Sequence, residues 1–207
     1  MNTYIWFILY IIFFDKVLKF IPEQFNIMLS FQYLIWSILG FRGMYTQKDY
    51  GFFIGSTMIL FYTYEILFYK IKKSVLLHHL ITIFLEIYSI FYLGTFYVKR
   101  MIYYNNITFV SLISSTLSHN RIVIKNYYPK YYKKFSQLYT ITFLISKSLG
   151  IIFYYIYLLF YDKDIFDNYV YTMLGLYFLI HSTQIYFMNI LFSRYDYSFQ
   201  KLLSFEN

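Results

Sequence analysis

Six ionisable side chains stand inside long apolar runs of this 207-residue chain, where each needs a partner or water. They are Glu65, His78, His79, Glu86, Lys147 and His181. A neutral imidazole accepts a proton and an imidazolium returns it, and a nearby carboxylate tunes both states. These residues are therefore the first candidates for acid–base chemistry or for binding a polar group.

Helical spacing places the residues around the histidine pair on one face. With about 100° per residue and His78 at the origin, Ser89 falls at about 20°, Thr82 at about 40°, Glu86 at about 80° and His79 at about 100°. The opposite side carries Ile, Leu and Phe. We expect this polar stripe to face the interior of a helix bundle, because lipid offers it no hydrogen bonds.

Two later apolar runs carry further polar faces. In the first, one helical face holds Thr108, Ser111, Ser115, Ser118 and His119. In the second, His181 shares a face with Gln184, and Asn189 follows two turns on. Packing is the more common reason for a serine face in a membrane helix, and a lone His181 is more often a hydrogen-bonded core residue than a ligand.

Lys147 and the histidine pair differ in whether a structural role alone explains them. Lys147 needs a carboxylate, which either Glu65 or Glu86 would supply, so a purely structural ion pair remains an alternative to function. Adjacent imidazoles project about 100° apart and bind one metal poorly, so no metal site is expected. Two imidazoles beside Glu86 are costly for packing alone, and we predict that His78, His79 and Glu86 are catalytic or ligand-binding.

Composition identifies the environment of these residues. The chain is 59% hydrophobic and 14% charged, against roughly 45–50% and about 25% for soluble domains. It has no cysteine, which excludes thiol catalysis and disulfides. Its net charge of +8 lies in short clusters between apolar runs, a pattern typical of loops at a membrane surface rather than of nucleic-acid binding.

The apolar runs predict an all-α, polytopic membrane bundle of six to seven transmembrane helices. The expected spans are 25–41, 50–69, 74–98, 101–118, 135–161 and 168–193. The short run from Thr3 to Phe14, within residues 1–24, is a possible first span. Residues 25–195 form the transmembrane domain and 196–207 a tail. Twelve of eighteen basic residues fall in alternate loops and this tail, which predicts a cytosolic tail.

An ordered set of motifs resembles the TLC-domain family, which includes ceramide synthases and translocating-chain-associated membrane proteins. Leu77–Thr82 is similar to the family's double-histidine signature, and Glu65–Tyr69 to the stretch before it in ceramide synthases. Ser114–Arg121 resembles an element of the smaller TLC-domain proteins, whose basic residue and last-helix segment align with Lys147 and Met188–Ile190. The acidic residues that ceramide synthases carry in the helix after the pair are absent here.

The resemblance implies a role in membrane lipid homeostasis, with an acyl lipid held inside the bundle and no resident cofactor. Interior polar residues expected to contact it are Glu65, Thr82, Ser111, Ser115, Arg121, Lys147, His181 and Asn189. The alternative is a sphingoid-base N-acyltransferase that uses the His78–His79 pair and acyl-CoA as co-substrate. A translocon-associated chaperone and a small transporter also remain open. Membrane lipids are the expected partners, the endoplasmic reticulum or another endomembrane is the implied location, and homodimer formation is left open.

Overall fold

A computed structural model describes residues 3–18, 23–46, 48, 50–92, 112–161 and 168–205. Within these residues the chain forms eight α-helices and no strand, which confirms the all-α class. The helices are α1 (Thr3–Leu18), α2 (Gln24–Thr46), α3 (Gly51–Phe68), α4 (Lys73–Tyr92), α5 (Ile113–Tyr127), α6 (Tyr132–Tyr161), α7 (Asn168–Ser193) and α8 (Phe199–Leu203). A 3₁₀ turn, Pro129–Tyr131, joins α5 to α6.

The helices follow the apolar runs closely, with one notable difference at α5. The expected span ended at residue 118, yet α5 continues to Tyr127. No proline or glycine interrupts the chain until Pro129, which begins the 3₁₀ turn. Arg121 and Lys125 therefore lie on a helix and not in the expected loop. The residues 93–111, which hold most of that expected span, lie outside the described part of the chain.

Neighbouring helices form a ring. The packed pairs are α3 with α4, α4 with α7, α7 with α6, α6 with α5, and α5 with α2. The ring closes between α2 and α3, where the Nε1 atom of Trp36 donates a hydrogen bond of 2.8 Å to the Oγ1 atom of Thr57. Helix α1 packs against α2 and α3.

An aromatic core ties α1, α2 and α3 together. The ring of Tyr10 meets that of Phe61 edge-on at 5.3 Å, and its hydroxyl donates to the carbonyl oxygen of Met28 at 2.6 Å. Trp36 and Phe61 are fully buried. Such edge-to-face pairs add to the free energy gained by burying the rings. This aromatic core supports the residues of α2 and α3 that face the centre of the ring.

Many apolar side chains of the described helices are exposed on the outside of the bundle. On α1 the exposed side chains include Ile5, Ile8, Leu9, Ile12 and Phe13. In the part of the chain that the structure describes, two segments are long and apolar enough to span a membrane. They are Gly51–Phe68, with a mean hydropathy of 1.4, and Pro129–Ile152, with 1.2.

Contacts at one end of the bundle bring several connections together. Phe25 stacks on Tyr69 with ring centroids 3.5 Å apart, which links the start of α2 to the end of α3. The side-chain amide of Asn126, at the end of α5, donates to Glu23 and lowers the pKa of that carboxyl group. The Nε2 atom of Gln137 donates to the carbonyl oxygen of Ser204 at 3.2 Å. The segments richest in lysine and arginine thus adjoin this end.

Candidate functional site

A cavity of 370 Å³ lies within the ring and is lined by residues of α2 to α7. All four histidines of the chain line it: His78, His79, His119 and His181. Of the residues predicted from sequence, those on its wall are His78, His79, Thr82, Glu86, Ser115, Arg121, Lys147 and His181. The polar stripe of α4 therefore faces inward, while Leu77 and Phe84 of the same helix are exposed outside.

His79 is held by a carboxylate from the neighbouring helix. Its Nε2 atom lies 3.0 Å from the Oε2 atom of Glu65 on α3, and both residues are buried. The imidazole also stacks on the ring of Tyr62, with centroids 4.2 Å apart and an angle of 14° between the planes. Glu65 thus fixes the orientation of His79 from behind, as a carboxylate partner does for many functional histidines.

This contact also bears on which nitrogen of His79 carries the proton. If Glu65 is a carboxylate and His79 a neutral imidazole, the Nε2 atom of His79 donates this hydrogen bond. The Nδ1 atom then holds the lone pair. That atom is buried and has no hydrogen-bond partner among the described residues. His79 therefore presents a base whose other nitrogen is already anchored.

His78 has the opposite arrangement. Its Nδ1 atom lies 3.0 Å from the Oγ1 atom of Thr183 on α7. The Thr183 hydroxyl already donates its one proton to the carbonyl oxygen of Ile180, at 2.8 Å. It must therefore accept from the Nδ1–H of His78, which leaves the Nε2 atom of His78 as the site of the lone pair. This geometry predicts that the adjacent histidines hold their protons on different nitrogens.

Glu86 lies deeper on α4 and packs closely against α3. It lines the cavity about 20 Å along the helix axis from Lys73, taking 1.5 Å per residue. A methyl group added at Gly55 would overlap the carboxylate of Glu86. The absence of a side chain at Gly55 therefore leaves room for this carboxylate beside α3.

Lys147 enters the cavity from α6. It is 6% exposed, and its Nζ atom lies 5.8 Å from the centre of the Phe143 ring. Of the two carboxylates that the sequence offered as partners, Glu65 is engaged by His79. Glu86 lines the same cavity as Lys147. Burying the charge of Lys147 costs free energy unless polar groups surround it. The cavity supplies such groups.

Helix α5 contributes Ser115, Ser118, His119 and Arg121 to the wall. The guanidinium of Arg121 lies over the Tyr139 ring, 4.9 Å from its centre. His119 stacks on Tyr33 at 5.4 Å, and its Nδ1 atom lies 3.2 Å from the Oδ1 atom of Asn26. Ser111, a predicted site residue, lies outside the described residues.

Helix α7 contributes His181 and Gln184, which line the cavity together as their spacing predicts. His181 is 4% exposed. Asn189 does not join them: it is exposed and does not line the cavity. On α4, the Thr82 hydroxyl faces the cavity but donates back to the carbonyl oxygen of His78 at 2.8 Å.

Several residues of the site were missed by sequence reasoning. They are Tyr33, Tyr62, Lys72, Thr183 and Arg194. Tyr62 precedes Glu65 by three residues and shares its helical face, a signal that was hidden by the abundance of tyrosine. Thr183 gives no such signal, because its partner His78 lies 105 residues away in sequence.

The described side chains support acid–base and polar-binding chemistry. His78 and His79 each present one nitrogen that can take a proton, while the other nitrogen is anchored. Among the described residues, no group of three or more histidines and carboxylates could hold a metal ion. Comparisons with protein-family models, with curated proteins and with solved structures find no match to this chain.

Proposed function

We propose that the chain is a multi-pass membrane protein of TLC type that holds an acyl lipid in the cavity lined by helices α2 to α7. The observation that carries the proposal is a 370 Å³ cavity with a polar wall inside a bundle that exposes many apolar side chains on its outside. Pockets of about 300–1,000 Å³ take small ligands. His78 and His79 then contact the polar head or carbonyl of the lipid, while Glu86 and Lys147 balance charge around it.

The membrane part of this proposal, a bundle of six to seven spans, goes beyond the two helices that are long and apolar enough to span a membrane; the exposure of those two helices supports it. Only 39% of the window Gly51–Phe68 and 28% of that in Pro129–Ile152 is buried, whereas the core helix of a soluble protein is mostly buried. The basic connections adjoin one end of the bundle, which favours a cytosolic location for that end. Endomembrane location follows from the resemblance to TLC-domain proteins alone.

A second candidate function is acyl transfer, and the His79–Glu65 contact favours it. A histidine anchored by a carboxylate is suited to take a proton from an amine while an acyl group is transferred from its thioester to that nitrogen. The products would be an amide and a free thiol, so the reaction balances with acyl-CoA as the donor. Against this candidate stands the absence of an acidic residue in 113–120 of α5.

Lipid retention tests the binding proposal. The protein is purified in detergent and its bound lipids are quantified by mass spectrometry for the wild type, Ser115→Phe and Ser182→Phe. Ser115 lines the cavity, so a phenylalanine there fills it; Ser182 is exposed on α7 and serves as the matched control. We expect Ser115→Phe alone to lose the bound lipid. Equal retention by all three proteins would contradict the proposal.

Untargeted lipidomics separates binding from catalysis. Membranes with matched amounts of the wild type or of His78→Ala/His79→Ala are compared. New acylated species that appear only with the wild type would assign acyl transfer to the pair. Equal shifts in bulk lipid composition with both proteins would leave binding without catalysis.

A further inference from the structure

The cavity wall carries an excess of positive charge. Four cationic side chains line it, Lys72, Arg121, Lys147 and Arg194, whereas Glu86 is the one carboxylate among its described lining residues. Lys72 and Arg194 are exposed at the edge of the cavity, whereas Arg121 is half-buried. A charged group that is partly removed from water needs a partner of opposite sign. The charges at this edge therefore suit an anionic ligand.

Three of these cations lie at the same end of the cavity. Lys72 immediately precedes α4, Arg194 immediately follows α7, and Arg121 lies within the last two turns of α5. We call Lys72, Arg121 and Arg194 the cationic mouth. The three residues come from separate elements and line the same cavity.

Arg121 is the residue of the cationic mouth whose contacts most clearly indicate a ligand. Its Nη1 atom is buried and has no hydrogen-bond acceptor in the described part of the chain. Its guanidinium is held over the Tyr139 ring, so it is positioned rather than freely moving in solvent. A buried charged donor without an acceptor is costly, and a bound anion removes that cost. Lys72 and Arg194 form no ion pair with any carboxylate that the structure describes.

We propose that the cationic mouth binds the phosphate of an amphiphile whose apolar chain lies deeper in the cavity, an inference that rests on the proposed function. Phosphate suits the mouth because it carries up to two negative charges and accepts paired hydrogen bonds from a guanidinium. Below the mouth the wall includes the apolar side chains of Phe143, Phe187, Ile180 and Leu191, which suit a hydrocarbon chain, and also the polar groups of Glu86 and Lys147.

The experiment measures equilibrium binding to the full-length protein in neutral detergent. The probes are oleoyl lysophosphatidic acid and monooleoylglycerol, which share a chain and differ in the phosphate. We expect the wild type to bind the phosphorylated lipid about tenfold more tightly, from hydrogen bonds between charged groups. Arg121→Gln should remove this preference. Lys125→Gln, one turn further along α5, exposed and away from the cavity, should keep it.

A second variant guards against misfolding. Lys72→Gln/Arg194→Gln changes two exposed side chains, and it should also weaken the preference while the unfolding midpoint stays at the wild-type value. Competition then identifies the source of the phosphate. If oleoyl-CoA displaces labelled lysophosphatidic acid more strongly than unlabelled lysophosphatidic acid does, the phosphate belongs to a nucleotide carrier. If the order is reversed, the phosphate belongs to a lipid headgroup. Displacement by inorganic phosphate would show that the mouth recognises the anion itself.

Two results would overturn the inference. One is equal affinity of the wild type for the phosphorylated and neutral lipids; the other is an equal change in Arg121→Gln and Lys125→Gln. If monooleoylglycerol binds in the cavity without any preference for phosphate, the inference fails while the proposed function stands. If neither lipid binds, the proposed function fails.

Discussion

The Nε2 atom of His79 on α4 lies 3.0 Å from the Oε2 atom of Glu65 on α3, and both side chains are almost completely buried. This contact joins two adjacent helices at the wall of the cavity. It also leaves the Nδ1 atom of His79 as the nitrogen that can take a proton. The proposed chemistry of the site depends on this relationship.

Two substitutions of Glu65 separate its structural role from its charge. Glu65→Ala leaves the buried Nε2–H of His79 without an acceptor, so we expect it to lower the free energy of unfolding by about 1–3 kcal/mol. Glu65→Gln keeps an acceptor oxygen and should cost less stability while it removes the negative charge. Thermal unfolding in detergent measures the first effect. Equal destabilisation by both variants would contradict the assigned hydrogen bond.

The adjacent histidines should carry their protons on different nitrogens. We expect Nδ1–H in His78, because the Thr183 hydroxyl accepts from it, and Nε2–H in His79. Nitrogen-15 NMR of histidine-labelled protein measures this directly, and with four histidines in the chain single substitutions assign every signal.

Thr183 supplies the control for the tautomer assignment. Thr183→Val removes the acceptor of His78 and should change the signal of that histidine alone. Ser182→Ala alters the neighbouring hydroxyl, which bonds to its own helix at the carbonyl oxygen of Phe178, and should leave both histidines unchanged. Identical tautomers in His78 and His79 of the wild type would refute the assignment.

Gly55 tests the position of the Glu86 carboxylate. A methyl group at this site overlaps the end of the Glu86 side chain, which is flexible enough to move away. We therefore expect Gly55→Ala to change lipid affinity severalfold while it alters the free energy of unfolding by less than about 1 kcal/mol. Gly175→Ala is the matched control, because no atom lies within 4 Å of its new methyl group. Unchanged affinity in Gly55→Ala would show that Glu86 plays no part in binding.

The Asn126–Glu23 hydrogen bond predicts a pH-dependent stability. The bond lowers the pKa of Glu23 below its ordinary value of 4.5, so it stabilises the folded chain above that pH. This contribution is lost as the pH falls through the lowered pKa. Asn126→Ala should therefore be less stable than the wild type at pH 6, with a difference that shrinks below pH 4.

The control for this effect removes the titrating group. In a Glu23→Gln background, the destabilisation caused by Asn126→Ala should no longer change between pH 6 and pH 3. Unfolding midpoints of the four proteins across this pH range provide the test. A difference that stays constant with pH in the presence of Glu23 would argue against the lowered pKa.

Local patterns in the sequence predicted most of the helices and the inward face of α4. His78, His79, Thr82 and Glu86 follow helical spacing, and all four line the cavity. The apolar run predicts an end at residue 118, before Arg121, because basic clusters between apolar runs are typical of loops at a membrane surface. A charged residue does not end a helix, and the chain continues to Tyr127.

Contacts between distant parts of the chain were beyond local patterns. From sequence alone, Glu65 and Glu86 are equally suitable carboxylate partners for Lys147. In the structure, Glu65 contacts His79 instead. Thr183 was overlooked because its role comes from the packing of α7 against α4. Asn189 lies about two turns after His181 on α7, but its side chain is exposed and does not line the cavity.

The central claim, that an acyl chain lies inside the ring of helices, is tested most directly by photo-crosslinking. Membranes that contain the protein are loaded with a diazirine-bearing fatty acid, irradiated, and analysed by peptide mass spectrometry. We predict adducts on cavity-lining residues such as Leu85 and Ile180, and their loss in Ser115→Phe. Adducts confined to outward-facing residues such as Phe84 and Ile185, unchanged in Ser115→Phe, would contradict the account.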